Sequence, residues 1–514
     1  MKQTSQKLDN AQLWASRFQK QTDPRAKKYS ESISIDRPMF DQNIWGSEAH
    51  TIMLGQQEII TDEHCKNILK SLQNIKEDFK SGKWDLQLQE EDLQMNVERY
   101  VINDSGIENG GRMHTCRSRN DQVVLDTKMF TRDGMIELLD SVTYLITSLL
   151  EKSKGQTETL MPGYTHTQHA QPITYAYWLT HYAAIFLRDL KRILAAYDTV
   201  DLNPLGAGAI SGTSFPIDRE LTTELLGFQG IQEHALDSVG AKDFNLEVLS
   251  SLVIMFASIS RLADEVIYGI TYEFGTMILD DGFSMGSSMM PQKKNPGVLE
   301  LVRGRTGKIY GILMHMLTTM KGLPSGYNRD YHEDKTTLSE AIELTTDTIS
   351  LMGGVIETLT IKPERMEHLV KQNFATATEL ANYLVRDHNI PFRLCHRIVG
   401  HVVKTLVAEN KNFEDKERTK ELLAEKDVII SDEDYEKTLN PQQVINSHNH
   451  IGGVAPEEVD RMIASMLNET AEFQAQIDSN KARMTDARAK TLAIVREITD
   501  NGANVKEAVA KILG

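Results

Sequence analysis

Between residues 286 and 296 the chain reads Gly-Ser-Ser-Met-Met-Pro-Gln-Lys-Lys-Asn-Pro. Two adjacent hydroxyls, Ser287 and Ser288, precede two cations, Lys293 and Lys294, and an amide, Asn295. Such a set suits an anionic substrate that must lose a proton: an oxygen to take it, and cations and an amide to hold the negative charge that grows. Gly282, Gly286, Pro291 and Pro296 make the stretch a poor helix and a poor strand. Helical patterns lie on both sides, and a polar loop wedged between core helices commonly does more than connect them. The plain alternative is a solvated loop that happens to be rich in lysine.

Two more segments carry chemistry. His114 to Val123 reads His-Thr-Cys-Arg-Ser-Arg-Asn-Asp-Gln-Val. Arginine there offers a planar fork that can hold a carboxylate through two bonds, and Ser118 and Asn120 add neutral hydrogen bonds. A charged helix start is the bland reading. Gly163 to Ile173 reads Gly-Tyr-Thr-His-Thr-Gln-His-Ala-Gln-Pro-Ile. Histidine is the side chain best suited to moving a proton near neutral pH. His166 and His169 have a spacing that binds metal on a helix, but nothing nearby supplies further ligands, so no metal is expected. His448 and His450 are set aside for the same reason. The glycine-rich run from Asn203 to Glu220 lacks the lysine pattern of a phosphate loop, which makes a nucleotide site a weak reading.

These segments need elements to position them. Met135, Leu138, Leu139, Val142, Leu145, Ile146, Leu149 and Leu150 recur at steps of three and four, the mark of one apolar helix face. The spacing returns over 249–270, 309–317 and 338–359. Long amphipathic helices in series predict a mainly α protein built on a bundle. The expected organisation is a mostly helical part over 1–115 and a central long-helix part over 116–365 with its loop at 282–296. A small helical part over 366–470 follows, and then a helical tail over 471–514. Ser30 to Asp36 reads as extended and polar. Two tail helices are expected around Asn501-Gly502, covering an oligomer surface.

A chain of 514 residues exceeds one ordinary core. A net charge of −17 argues against general nucleic-acid binding, which wants a basic face. Cys65, Cys116 and Cys395 are widely spaced, which favours a reducing compartment over a disulfide framework. Met1 to Asp9 is polar, with no apolar signal core. No run reaches the roughly 18 apolar residues of a membrane span. The cytoplasm is the expected location, with no membrane partner.

The segment Gly-Ser-Ser-x-x-Pro-x-Lys-x-Asn resembles the signature loop of the fumarase/aspartase superfamily, and its Pro-Gln-Lys-Lys-Asn-Pro variant is most similar to argininosuccinate lyases. The other two motifs resemble the same family in the same order, over a likeness running from about Trp14 to about residue 465. The resemblance implies a three-domain subunit whose central helices form a multi-helix core in a homotetramer, with each site shared between subunits and no cofactor. It implies cleavage of a carbon–nitrogen bond in argininosuccinate, giving arginine and fumarate through a doubly charged aci-carboxylate. By the same resemblance Ser287 is the general base, Lys293 helps activate it and holds the growing charge, and His166, oriented by Glu300, is the partner acid or orienting group. Ser32, Asp36, Ser118, Arg119, Asn120, Thr165, Asn295, Tyr327, His332 and Lys335 are the implied substrate contacts, and Asp92 faces the site. Cys116 is expected to be a small buried side chain.

The chain departs from the family pattern at Gln94 (histidine in the family), at His234, at Lys242 (arginine) and at His332 (glutamine). These positions could read the non-fumarate half of the substrate. A related lyase releasing fumarate from another N-substituted aspartate, of the aminopolycarboxylate type, is therefore the second reading. A silent, crystallin-like structural protein is the third.

Overall fold

A computed structural model describes residues 22–88 and 90–514. The polar start at Met1–Asp9 and the beginning of the family likeness at Trp14 lie outside the described residues.

Short turns Pro24–Ser30 and Ile33–Asp36 lead into helices α1 (Phe40–Gln56), α2 (Asp62–Lys80) and α3 (Leu93–Ser105). The stretch expected to be extended over Ser30–Asp36 is thus helical after Ser32. Thr61 and Asp92 cap α2 and α3, each accepting a backbone N–H from the first turn. Helix α4 (Arg119–Ser153) opens on a capping box in which Ser118 and Asp121 each take the other's backbone N–H end.

A hairpin follows, β1 (Leu160–Thr165) and β2 (Gln168–Thr174), antiparallel and joined by His166 and Thr167. Then come α5 (Tyr175–Val200), α6 (Asp243–Ile270), the two-residue strands β3 (Met285–Gly286) and β4 (Lys294–Asn295), α7 (Gly297–Met320) and α8 (His332–Thr358). Five long helices pack in the spatial order α8, α4, α5, α6, α7. Their shared core runs from Met135 and Leu139 through Phe186 and Phe256 to Ile309 and Met352. The four periodic runs of the sequence lie in α4, α6, α7 and α8. The fifth helix, α5, came without a stated periodicity.

Helix α6 is long and apolar enough by composition to cross a membrane, with a mean hydropathy of 1.6 over its most apolar window. Ser250, Ser258, Arg261 and Asp264 interrupt it, so it holds no unbroken run of 18 apolar residues. Half of that window is buried inside the bundle, where Leu249, Leu252, Phe256 and Ile259 are wholly enclosed.

Beyond residue 366 a small unit has its own core, confined to residues 380–439 and built on α9 (Ala377–His388) and α10 (Phe392–Ala408). The final long helix, α11 (Pro456–Thr499), spans 44 residues without a break, so the division expected at 470/471 falls inside it. Asn501-Gly502 does end it, and α12 (Val505–Leu513) follows, capped by Asn504.

The tail packs into its own chain. Ile494, Val495, Ile498, Val505 and Val509 belong to the core of the N-terminal helices. Arg488 reaches the wholly buried Glu48 of α1 at 2.6 Å, and Arg483 pairs with Asp201 at the end of α5. The extension therefore clamps the N-terminal helices to the bundle within one chain.

Candidate functional site

The loop closes at its base. Met285 pairs with Asn295 and Gly286 with Lys294, a short ladder where the composition promised no strand. Gly297 starts α7 directly against the Met285 thioether, where a Cβ would collide. Asp280 accepts the Gly282 N–H at 2.8 Å and Lys294 pairs with Asp281, which fixes the loop's entry. Within that frame the backbone N–H groups of Met289 and Met290 donate to Ser287 Oγ at 3.3 and 3.0 Å. Two amides aimed at one hydroxyl oxygen favour its deprotonated form. Lys293 is exposed and joins no ion pair among the described residues, so its charge is available to a ligand. Glu300 is exposed in the first turn of α7.

Thr165 and His166 occupy the tip of the β1–β2 hairpin, exposed. His166 and Thr167 both take left-handed backbone angles, φ 54° and 58°. A two-residue hairpin of this hand normally asks for Asn-Gly, and a β-branched residue there is strained. Such strain is characteristic of functional sites. The histidine pair lies on a hairpin, not a helix, and His169 bonds Tyr164 Oη at 3.1 Å.

A third group gathers around α3, α4 and the start of α8. Ser32 Oγ donates to Asp36 Oδ2 at 2.7 Å, and Lys335 Nζ donates to Asp36 Oδ1 at 2.5 Å, all three buried. Tyr327 and His332 stand beside them, half-buried. The His332 imidazole is pushed down to about 4, because burial and the neighbouring Lys335 and Arg329 cations disfavour its charged form. It is a neutral ring at pH 7.

The fork of Arg119 pairs with Asp92 and, at 3.7 Å, with Glu98. Ser118 Oγ accepts the Asn120 N–H at 3.2 Å as a helix cap, and the Asn120 amide donates to Ala209 O at 3.1 Å. Asp92 is thus brought to this group, where it both caps α3 and pairs with Arg119. Cys116 is half-buried with φ 66°, not enclosed as expected.

Beneath this group lies a buried polar layer that the sequence reading missed. Asn43 and Gln94 both donate to Asp126 Oδ2, at 2.7 and 2.8 Å. Burial pushes the Asp126 carboxyl up to about 6, against the pull of those two bonds and of Arg117. Asp121, which accepts N–H groups from Ser118, Gly206 and Gly208, is likewise pushed up to about 6 by burial. Nothing in the sequence marked them, since Asp121 and Asp126 lie in a stretch that also holds Asn120, Gln122, Thr127 and Lys128.

Lys242 is wholly buried and pairs with Asp334 at 2.5 Å, with its ammonium 5.3 Å from the centre of the Tyr331 ring. Of the four departures from the family pattern, Gln94 and Lys242 are therefore wired into the protein, and His234 caps a short helix at Ala235–Gly240. His332 borders the Asp36–Lys335 pair, and the buried Lys242 ammonium also lies within electrostatic reach of it.

Among the described residues, no hydrogen bond or ion pair joins the loop, the hairpin tip and the third group, and none joins His166 to Glu300. In one subunit the loop and the hairpin tip lie at the end of the bundle where α4 ends and α7 begins, and the third group lies at the opposite end, where α4 and α8 begin.

A helical bundle with a loop of this kind defines a class of lyase. A family model described as "Lyase" matches residues 16–311, and one described as "Argininosuccinate lyase C-terminal" matches residues 374–446. Argininosuccinate lyase of Oceanobacillus iheyensis is 42% identical over 452 residues, 88% of this chain and 97% of that protein. Argininosuccinate lyase of Methanocaldococcus jannaschii is 39% identical over 463 residues, covering 90% and 95%. Among solved structures, EDDS lyase in complex with formate superposes with a TM-score of 0.83 at 27% identity, covering 91% of this chain and 93% of that one. Fumarate lyase from Mesorhizobium sp. BNC1 shares the fold, with a TM-score of 0.68 at 16% identity over 84% and 98%. The chain belongs to the argininosuccinate lyase family.

Proposed function

We infer that the protein is a carbon–nitrogen lyase that cleaves argininosuccinate to arginine and fumarate. The observation that carries the chemistry is the pair of loop amides directed at Ser287 Oγ. An ordinary serine is far too weak a base for a carbon acid, and these donors lower that barrier. Ser287 takes the proton from the carbon beside the carboxylate. The electrons move into that carboxylate, forming the aci-carboxylate held by Lys293, Asn295 and Thr165. They then return to form the double bond of fumarate as the carbon–nitrogen bond breaks, and the nitrogen leaves with a proton guided by His166. Ser32, Tyr327, His332 and Lys335 orient the amino-acid half. Asp36, Ser118, Arg119 and Asn120 hold that wall in place through the bonds described above.

Because the three parts lie apart in one chain, the site is completed by other subunits of a homotetramer. Helix α7 supports this: Tyr310, Met314 and Leu317 are exposed, and Gly304, Gly307 and Gly311 face open space. That is an apolar face with room for a close helix neighbour. The three cysteines are unpaired, which fits the cytoplasm.

The internal wiring of Gln94 and Lys242 supports argininosuccinate over another N-substituted aspartate. Ser287→Ala tests the base assignment. It is expected to lower kcat by at least about a thousandfold with the oligomer intact by light scattering. A near-normal rate would remove Ser287 from the mechanism.

A further inference from the structure

Residues 96, 99, 100 and 103 form the face of α3 opposite Gln94 and Glu98. On that face lies a cavity of about 350 Å³ that the reaction does not use. Trp84 and Tyr100 wall it, their rings edge to face with centroids 5.4 Å apart. Glu90 and Asp104 bring two carboxylates to it, and Arg99 one guanidinium.

Glu90 is 5% exposed and pairs with Arg99 through Oε1 at 2.5 Å, while its Oε2 has no hydrogen-bond partner among the described residues. Asp104 accepts from Ser71 and Asn74, both on Oδ2. Its Oδ1 takes part in no hydrogen bond or ion pair among the described residues. Asn96 holds the rim by bonding the N–H and the carbonyl of Gln87, at 2.7 and 3.3 Å.

We propose that this cavity binds a cationic α-amino acid. Two carboxylates against one guanidinium leave a net charge of −1, which a zwitterion with one further positive charge neutralises. The buried Glu90 Oε2, an acceptor without a donor, is suited to an ammonium or guanidinium. The indole and phenol rings favour a cation, and a planar guanidinium stacks on them better than a point charge does. Arg99 can take the α-carboxylate. The volume sits at the small end of ligand pockets, roughly 300–1,000 Å³, which suits an amino acid better than a nucleotide.

L-Arginine is one such ligand, and in singling it out the inference rests on the reaction proposed above. Its occupancy would be felt at the reaction site. Glu90, Glu91 and Asp92 are consecutive, and they pair with Arg99, Arg329 and Arg119 respectively. A ligand that draws Glu90 from Arg99 loads the same strap that holds the other two arginines.

The test is calorimetric titration of L-arginine into the full-length Ser287→Ala protein saturated with argininosuccinate, which blocks the reaction site. L-Citrulline, with its neutral side chain, is the comparison ligand. Saturable binding of L-arginine is expected, at least tenfold tighter than that of L-citrulline. It is expected to weaken at least tenfold in Asp104→Lys and in Asn103→Trp, both exposed positions on the cavity wall. No saturable binding, or binding that both substitutions and the loss of charge leave unchanged, would overturn the proposal. If argininosuccinate proves inert toward this protein, the same two substitutions still report on the cavity alone, so the two readings fail separately.

Discussion

Asp126 shows how a single residue under the site sets a pH dependence. Its folded carboxyl is pushed up to about 6, above the usual carboxylate range, by burial. The folded state therefore holds a proton that the unfolded chain has already lost between pH ~4 and ~6. Its contribution to stability is full below the unfolded value and is lost as pH rises through about 6, on the order of 3 kcal/mol in all. Asp126→Asn removes that slope. Denaturant midpoints of the protein and the variant, compared from pH 4 to 7, are expected to diverge as pH rises, with the parent losing ground to the variant. Parallel curves would show that the group ionises as it does in the unfolded chain. Neither Asp126 nor its partner Asn43 stood out in the sequence, because a buried acid and a surface acid are the same letter. Lys242 was legible as a departure from the family pattern, but its meaning came only with Asp334, 92 residues away. A buried lysine facing a buried carboxylate needs that partner, since leaving either charge alone costs roughly 3–5 kcal/mol.

At the scale of elements, the helices were the legible part. Repeats at three and four steps located α4, α6, α7 and α8, because an amphipathic face is written directly in the spacing. The hairpin that carries His166 was not legible. Its tip, His-Thr, lacks the Asn-Gly or Asp-Gly pair that announces such a turn, and it takes strained left-handed angles, φ 54° and 58°. Thr167→Gly should relieve that strain and raise stability by about 1 kcal/mol, read as a higher thermal midpoint. Turnover should fall in the same variant, because the glycine frees the tip that holds His166. Greater stability with full activity would mean that the strained turn has no part in placing the histidine. Ser30–Asp36 was also misread as extended. Its polar residues are internal partners, Ser32 to Asp36 and Asp36 to Lys335, and not a solvated loop.

For the whole molecule, the tail and the division of the site are the two features that sequence spacing could not supply. Helix α11 was read as the end of one unit and the start of another, because its apolar residues serve two different cores along its length. The separation of Ser287, His166 and Lys335 over three regions of one chain predicts complementation between subunits. Neither Ser287→Ala nor His166→Ala protein should turn over alone. Unfolded together in equal amounts and reassembled, they should recover roughly a quarter of the parent activity, the share of sites that draw both intact residues from different subunits. No recovery on reassembly to the parent oligomer would place both residues in the same subunit's site. The reaction itself is tested most directly by following fumarate absorbance after argininosuccinate is added to the purified protein, with other N-substituted aspartates offered in parallel. Saturable release of fumarate from argininosuccinate, exceeding that from every other member of the panel, is the predicted result. Release from another member with none from argininosuccinate would contradict it.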